Sequence, residues 1–187
     1  YFIEQKVDIA LFEVGLGGLL DATNIIMPKL AINTNIGLDH VDYLGHDYQS
    51  IALNKAGIVK EGIDYLTGET KPECLVVFEK VCQENHSTLL TLAPITNIID
   101  GNNVSYRYCN YDIILDTPAL YQIYNSALAL EALLYLKEHH KNSPIMTKSI
   151  IYSHFIIRFD FNTKTISKCF SITCPNMFKF TNCDIIS

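Results

Sequence analysis

Residues 7 to 18 run from an almost unbroken apolar stretch, VDIALFEV, straight into Gly15-Leu16-Gly17-Gly18. Few folds accept that combination. A short strand without alternating polarity is buried on both faces, as in a parallel sheet covered by helices. Glycines at its end let the backbone turn tightly and approach a neighbour or a ligand. LAINTNI at 30–36 repeats the apolar strand, after a polar loop that ends at Pro28. The segment DYQSIALNKAGIVK, 47–60, reads as a helix capped by Asp47 and stopped by Lys60-Glu61-Gly62. A strand at 64–67 and a helix at 72–86 complete a βαβ texture, and the expected class is α/β with a mainly parallel sheet and flanking helices.

From 88 to 116 the pattern changes to a small β-rich section. LLTLAPI, NVSYRY and YDIILDT are separated by Asp100-Gly101-Asn102-Asn103, a hairpin signal, and by Cys109-Asn110. A helix is expected over 118–140, with Leu128, Leu130, Leu133, Leu134 and Leu136 on a broad apolar face. Residues 150–187 contain no Gly, Ala, Leu, Val or Glu, yet hold six of the nine Phe and three of the six Cys. The expected organisation is one partial domain, 1–149, followed by an aberrant tail, 150–187. That tail reads as out-of-frame or degraded sequence, or as a β-rich extension in a compositionally biased genome.

Bulk properties exclude some function classes. A net charge of -6 with no long basic run argues against a general nucleic-acid surface. No stretch approaches the roughly 18 apolar residues of a membrane span, and no signal-peptide pattern opens the chain. Tyr1 and the residues after it read like mid-domain sequence, so the start of the gene product is expected upstream. The six cysteines, Cys74, Cys82, Cys109, Cys169, Cys174 and Cys183, form no CxxC pair and read as free thiols of a cytoplasmic protein. The Cys169–Cys174 spacing is a weak zinc signal.

Three stretches could carry chemistry. Glu13 ends the first strand, where α/β sheets bind ligands, and a hard oxygen there suits Mg²⁺. It reads equally as a surface carboxylate. Leu20 stands where a dinucleotide fingerprint would need glycine, so the turn is not of that kind. NIGLDHVDYLG, 35–45, packs Asp39, His40 and Asp42 together, and His40 could be a metal ligand, a base or a helix cap. The two clusters follow neighbouring strands and are expected to face one crevice. In LNKAGIVK, Lys55 could snorkel to water, lie near phosphates or be modified.

In this order and spacing, EVGLGG-x-LDATN, NIGLDHxDYLG and KAGI-x-K resemble the folylpolyglutamate synthase / dihydrofolate synthase family, within the Mur ligase superfamily. LYQIYNSALALEAL, 120–133, resembles the family's HQ-x-x-NA-x-x-A helix and extends the likeness over residues 1–140. The resemblance implies a partial Mur-ligase-type central ATPase domain. It implies an ATP-dependent ligase, monomeric when intact, that joins L-glutamate to a folate or to dihydropteroate through an acyl phosphate. By position it implies Glu13 and His40 as Mg²⁺ ligands and Lys55 as a carbamylated lysine. Leu20, Asp21 and Ala22 match a pterin-contacting turn, while Gln122 and Asn125 match ATP contacts. ATP and Mg²⁺ are the implied cofactors.

The chain departs from the family at Leu19 (usually Arg), Asn54 (usually Glu) and Tyr121 (usually His). The family's GTNGKGS-like P-loop is expected upstream of Tyr1, and its DGAHN-bearing domain downstream. HFIIRFDFN, 154–162, is a damaged echo of a WPGR-like stretch. The chain as given is therefore expected to be inactive. The alternatives are a noncatalytic fragment or pseudogene product, and a small-ligand module reusing the folate-side loop.

Overall fold

The structure is a computed structural model that describes residues 1–5, 7 and 9–139, with the backbone strands at 150–152, 155–160, 165–170 and 184–186. The side-chain readings made for 150–187, including HFIIRFDFN and Cys169, Cys174 and Cys183, lie outside the described residues. The chain forms two compact units, Tyr1–Thr91 with Lys179–Ser187, and Leu92–Phe178.

In the first unit a short helix α1 (Phe2–Gln5) and strand β1 (Ile9–Leu11) precede a 3-10 turn at Ala22–Ile25. There follow β2 (Ala31–Asn33), α2 (Val41–Leu44), α3 (Tyr48–Ala56), β3 (Tyr65–Thr67), α4 (Pro72–Glu84) and β4 (Leu89–Thr91). The strands β2, β3 and β4 form a parallel sheet in which Ala31 lies opposite Tyr65 and Tyr65 opposite Leu89. Parallel neighbours need a crossover, and α3 and α4 supply the two here. All three residues of the central strand β3 are fully buried, which is why its sequence shows no polar alternation. The core gathers Ile36, Ile51, Ala52, Ala56, Tyr65, Cys74, Phe78 and Cys82. Within it the Tyr65 and Phe78 rings meet edge to face, with centroids 5.2 Å apart.

Two expectations are corrected. The strands that precede Glu13 and His40 are not hydrogen-bonded neighbours. β1 pairs in parallel with the strand β11 (Asp184–Ile186), whereas β2 uses its ladder on β3. The third helix also ends at Ala56 rather than at residue 60. Gly57, Ile58 and Val59 donate to the carbonyls three residues back instead of four, so the helix tightens and stops. At its other end Asp47 is the cap as expected, accepting from the Ser50 amide at 2.7 Å.

The second unit carries the long helix and the β-rich section from Leu92 on; the start of that section, Leu89–Thr91, is instead β4 of the parallel sheet. The strands β5 (Ile95–Ile99), β6 (Val104–Tyr108) and β7 (Tyr111–Leu115) form an antiparallel meander, with the expected hairpin at 100–103. The backbone strands β8 (Ile150–Tyr152), β9 (Phe155–Asp160) and β10 (Thr165–Phe170) extend it to six, in the order β5-β6-β7-β10-β9-β8. β6 alternates strictly, with Val104, Tyr106 and Tyr108 buried. The helix α5 (Tyr121–His139) buries Ile123, Ala127 and Leu130 in the same cluster. Two tyrosines need polar partners there. Tyr106 shares a hydrogen bond with Ser126 at 2.7 Å, and Tyr108 donates to Glu131 at 2.6 Å while accepting from the Ala93 amide. Among the described residues no helix is long and apolar enough to cross a membrane.

Phe78 is fully buried in the parallel-sheet core, and Phe78→Ala is expected to lower unfolding free energy by about 3–5 kcal/mol. Urea unfolding checks this, with the midpoint falling and the slope unchanged.

Candidate functional site

The glycine turn after β1 is built by close approach to the end of α3. Gly17 adopts φ +70°, and a β-carbon there would meet the Asn54 side chain and lie 2.7 Å from Leu44 Cδ2. A β-carbon on Gly18 would lie 2.7 Å from the Lys55 carbonyl oxygen, and one on Gly57 would lie 2.5 Å from Leu19 Cα. Only bare backbone fits. The contact is sealed by the Leu19 amide, which donates to the Asn54 carbonyl at 3.0 Å. Asn24 adds a bracket: its side-chain amide donates to the Leu19 and Gly57 carbonyls at 2.9 and 3.1 Å. Lys60 Nζ in turn donates to the Asn24 carbonyl at 2.8 Å. Two of the sequence motifs, the glycine turn and KAGI, are thus one packed assembly, with Lys55 in the last turn of α3 beside it.

Asp21 organises the loop from within. Its Oδ2 accepts from the Gly15 and Leu16 amides, each at 3.0 Å, and its Oδ1 accepts from the Thr23 amide and hydroxyl at 2.9 and 2.6 Å. The Thr23 hydroxyl and the Leu16 and Thr23 amides hold its carboxyl down at about 2. Both carboxylate oxygens therefore serve the loop itself. Its neighbours face outward: Leu20 is 90% exposed and Ala22 is exposed.

Glu13 is exposed just past the end of β1. His40 is exposed at the N-cap of α2 with φ 50° and ψ 37°, a left-handed conformation uncommon outside glycine. Its imidazole makes no capping bond; its Nε2 stands 3.7 Å from Asp39, and its amide donates to Asp39 at 2.8 Å. No hydrogen bond or ion pair joins Glu13, His40 and Lys55 to one another among the described residues, nor do three His, Cys, Asp or Glu residues there form a cluster able to hold a metal ion. Glu13 offers the hard oxygen donor that Mg²⁺ takes, whereas the His40 imidazole is a nitrogen donor, and both are exposed. In the second unit, Gln122 and Asn125 sit one helical turn apart on α5, where Asn125 donates to the Gln122 side chain at 3.2 Å.

The sequence reading missed Glu69 and Lys71. Glu69 is 4% exposed just beyond β3 and accepts from the Ile36 amide at 2.6 Å and the Thr70 and Lys71 amides at 2.7 and 2.8 Å. Lys71 Nζ lies 3.2 Å from Glu69 and donates to the Ile36 carbonyl at 2.8 Å, over the Tyr48 ring. Burial pushes the Glu69 carboxyl up, but the three amides and Lys71 outweigh it and hold the group below the ordinary carboxylate value. The signal was present: TGETK puts a carboxylate directly after a strand, as EVG does at Glu13.

Gly17→Ala is expected to destabilise the first unit by roughly 1–3 kcal/mol, read by thermal or urea unfolding, because the left-handed backbone and the packing both oppose a β-carbon. Asp21 gives a pH dependence. Its folded value, about 2, lies below its ordinary 3.8, so its contribution is complete above that value and is lost as pH falls through 2. Intrinsic-rate-corrected exchange of the Gly15 and Leu16 amides is expected to accelerate in that window. Asp21→Asn should abolish the dependence.

No family model matches the chain. It is 35% identical over 150 residues to the dihydrofolate synthase/folylpolyglutamate synthase of Bacillus subtilis, across 75% of this chain and 35% of that protein. The apo folylpolyglutamate synthase of L. casei superimposes with a TM-score of 0.68 at 32% identity, covering 78% of this chain and 37% of the other. A folylpolyglutamate synthase in complex with AMPPCP and folate gives a TM-score of 0.67 at 29% identity, over 86% of this chain and 45% of that one. The chain thus spans well under half the length of these relatives. Sequence and fold agree over most of this chain, which resembles the folylpolyglutamate synthase / dihydrofolate synthase family and has its Mur-ligase-type α/β fold.

Proposed function

We propose that residues 1–149 are part of the central domain of an ATP-dependent ligase that adds L-glutamate to a folate, or to dihydropteroate, and that 150–187 is an aberrant tail. The observation that carries the reading is the assembly of the glycine turn on the end of α3, which sets Lys55 beside the turn that follows Glu13. A relative of this fold, at 29% identity, is described in complex with AMPPCP and folate.

In this reading ATP phosphorylates the substrate carboxyl, and the amino group of glutamate displaces phosphate from the acyl phosphate. Mg²⁺, when bound, spreads the negative charge of the transferring phosphoryl group. Glu13 and His40 would hold it, and Lys55, as a carbamate, would supply a second anionic oxygen donor. Gln122 and Asn125 would contact ATP. The exposed Leu20 and Ala22 would offer apolar surface to a pterin ring, with Asp21 shaping the turn. A cytoplasmic location is proposed with it, supported by the free thiols of Cys74, Cys82 and Cys109, and the intact protein is proposed to be a monomer.

The chain alone is proposed to be inactive, which is the second reading: a noncatalytic fragment.

Folate- and glutamate-dependent ADP release is expected to be absent from the purified chain, measured by a coupled assay; clear turnover would overturn the inactivity. Reading the locus several hundred bases past each end of the frame tests the ligase proposal. GTNGKGS-like and DGAHN-like segments are expected there, and their absence from every frame would sink it.

A further inference from the structure

We propose that Glu69, acting with Lys71, is the positioning residue for the loop that carries His40. This deepens the reading of His40 as a metal ligand and rests on it. The Glu69 carboxylate takes the Ile36 amide, and Lys71 takes the Ile36 carbonyl, so both backbone polar groups of one residue are gripped from the end of the neighbouring strand. Four residues later the chain reaches His40 in a left-handed conformation. A residue other than glycine keeps such a backbone only where its surroundings over-determine it. Two constraints do so here. The Asp39 side chain accepts from the His40 amide, and the Glu69–Lys71 clamp fixes where the loop leaves β2.

The burial of the carboxylate is informative. Glu69 is 4% exposed, while the lysine that neutralises it is partly exposed and held over the Tyr48 ring at 5.0 Å. A charge taken out of water needs partners, and the best-attested use of such a group is to select one register. Here the register is that of the loop 36–40 against the end of β3. The pair spans the ends of two adjacent parallel strands, β2 and β3, at the sheet edge where α/β folds place their ligands. Glu69 touches no reacting group and acts through the backbone.

The test uses the full chain, isotopically labelled, and compares Glu69→Gln with the unaltered protein. Gln has the shape of Glu but must turn an N–H toward backbone donors. Exchange of the Ile36 and His40 amides, which donate to Glu69 and Asp39, is expected to rise about tenfold, the worth of one hydrogen bond to a charged group. The His40 ring resonances should shift, while those of His46 and His86 and the α4 amides beyond its first turn stay unchanged. Unaltered loop exchange, or a uniform rise across the unit with no change at the His40 ring, would overturn the proposal. Should Glu69→Gln fail to fold, Lys71→Met decides by the same readouts, since it releases the Ile36 carbonyl and the ammonium contacts to Glu69 and Tyr48 while leaving the Glu69 bond to the Ile36 amide in place. Mn²⁺, added alone, separates the two ideas. Broadening of the His40 ring that weakens in Glu69→Gln is the expected result. If Mn²⁺ broadens nothing in the unaltered chain, the metal role of His40 fails, while the exchange data still decide the clamp.

Discussion

The first unit depends on one close approach of two pieces of backbone. At Gly18 and Gly57 the loop after β1 and the end of α3 come nearer than any side chain would allow, and the Leu19 amide bonds the Asn54 carbonyl across the contact. Such proximity buries polar backbone, so each exposed donor or acceptor must be answered locally. Asn24, Lys60 and Asp21 answer them. The loop's composition follows from that demand: glycine where the chains touch, and short amide, carboxylate and ammonium groups around the rim.

A second device of the same kind stands at the ends of β2 and β3. There a buried carboxylate gathers three backbone amides and a lysine, and the loop toward His40 is held by charge instead of by close packing. The two devices suit their places. The glycine turn lies against a helix end, where carbonyls are free to accept. The Glu69 cluster lies past strand ends, where amides are free to donate.

Much of this was legible in the sequence because it follows from local rules. The apolar runs at 30–36 and 64–67, the Asp47 cap, the 100–103 hairpin and the long helix from 121 all appear close to where periodicity and turn residues put them. The third helix was read too long because Ile58 and Val59 continue its apolar pattern, while the event that ends it, Leu19 against Gly57, lies 38 residues away in the chain. The pairing of β1 was hidden for the same reason, since its partner strand begins at Asp184. In the site, the motifs identified Glu13, His40 and Lys55 as candidates, but not what supports them. Glu69 escaped notice because a lone carboxylate after a strand looks like any surface acid until its burial is known. The turn at Leu20, Asp21 and Ala22 was legible as a motif, but not that the Asp21 carboxylate bonds inward to Gly15, Leu16 and Thr23.

The bracket at Asn24 has a mechanical consequence. Its side chain ties the carbonyls of Leu19 and Gly57 together, and its own carbonyl is tied to Lys60. The exposed tip at Leu20 and the last turn of α3 therefore form a stiff lever with little internal play. The tip and the lysine-bearing helix end are thereby linked through the hydrogen bonds of one residue. The reach of Lys55 is in this sense set from the loop, and the loop is where a change of size in a bound molecule would be felt first.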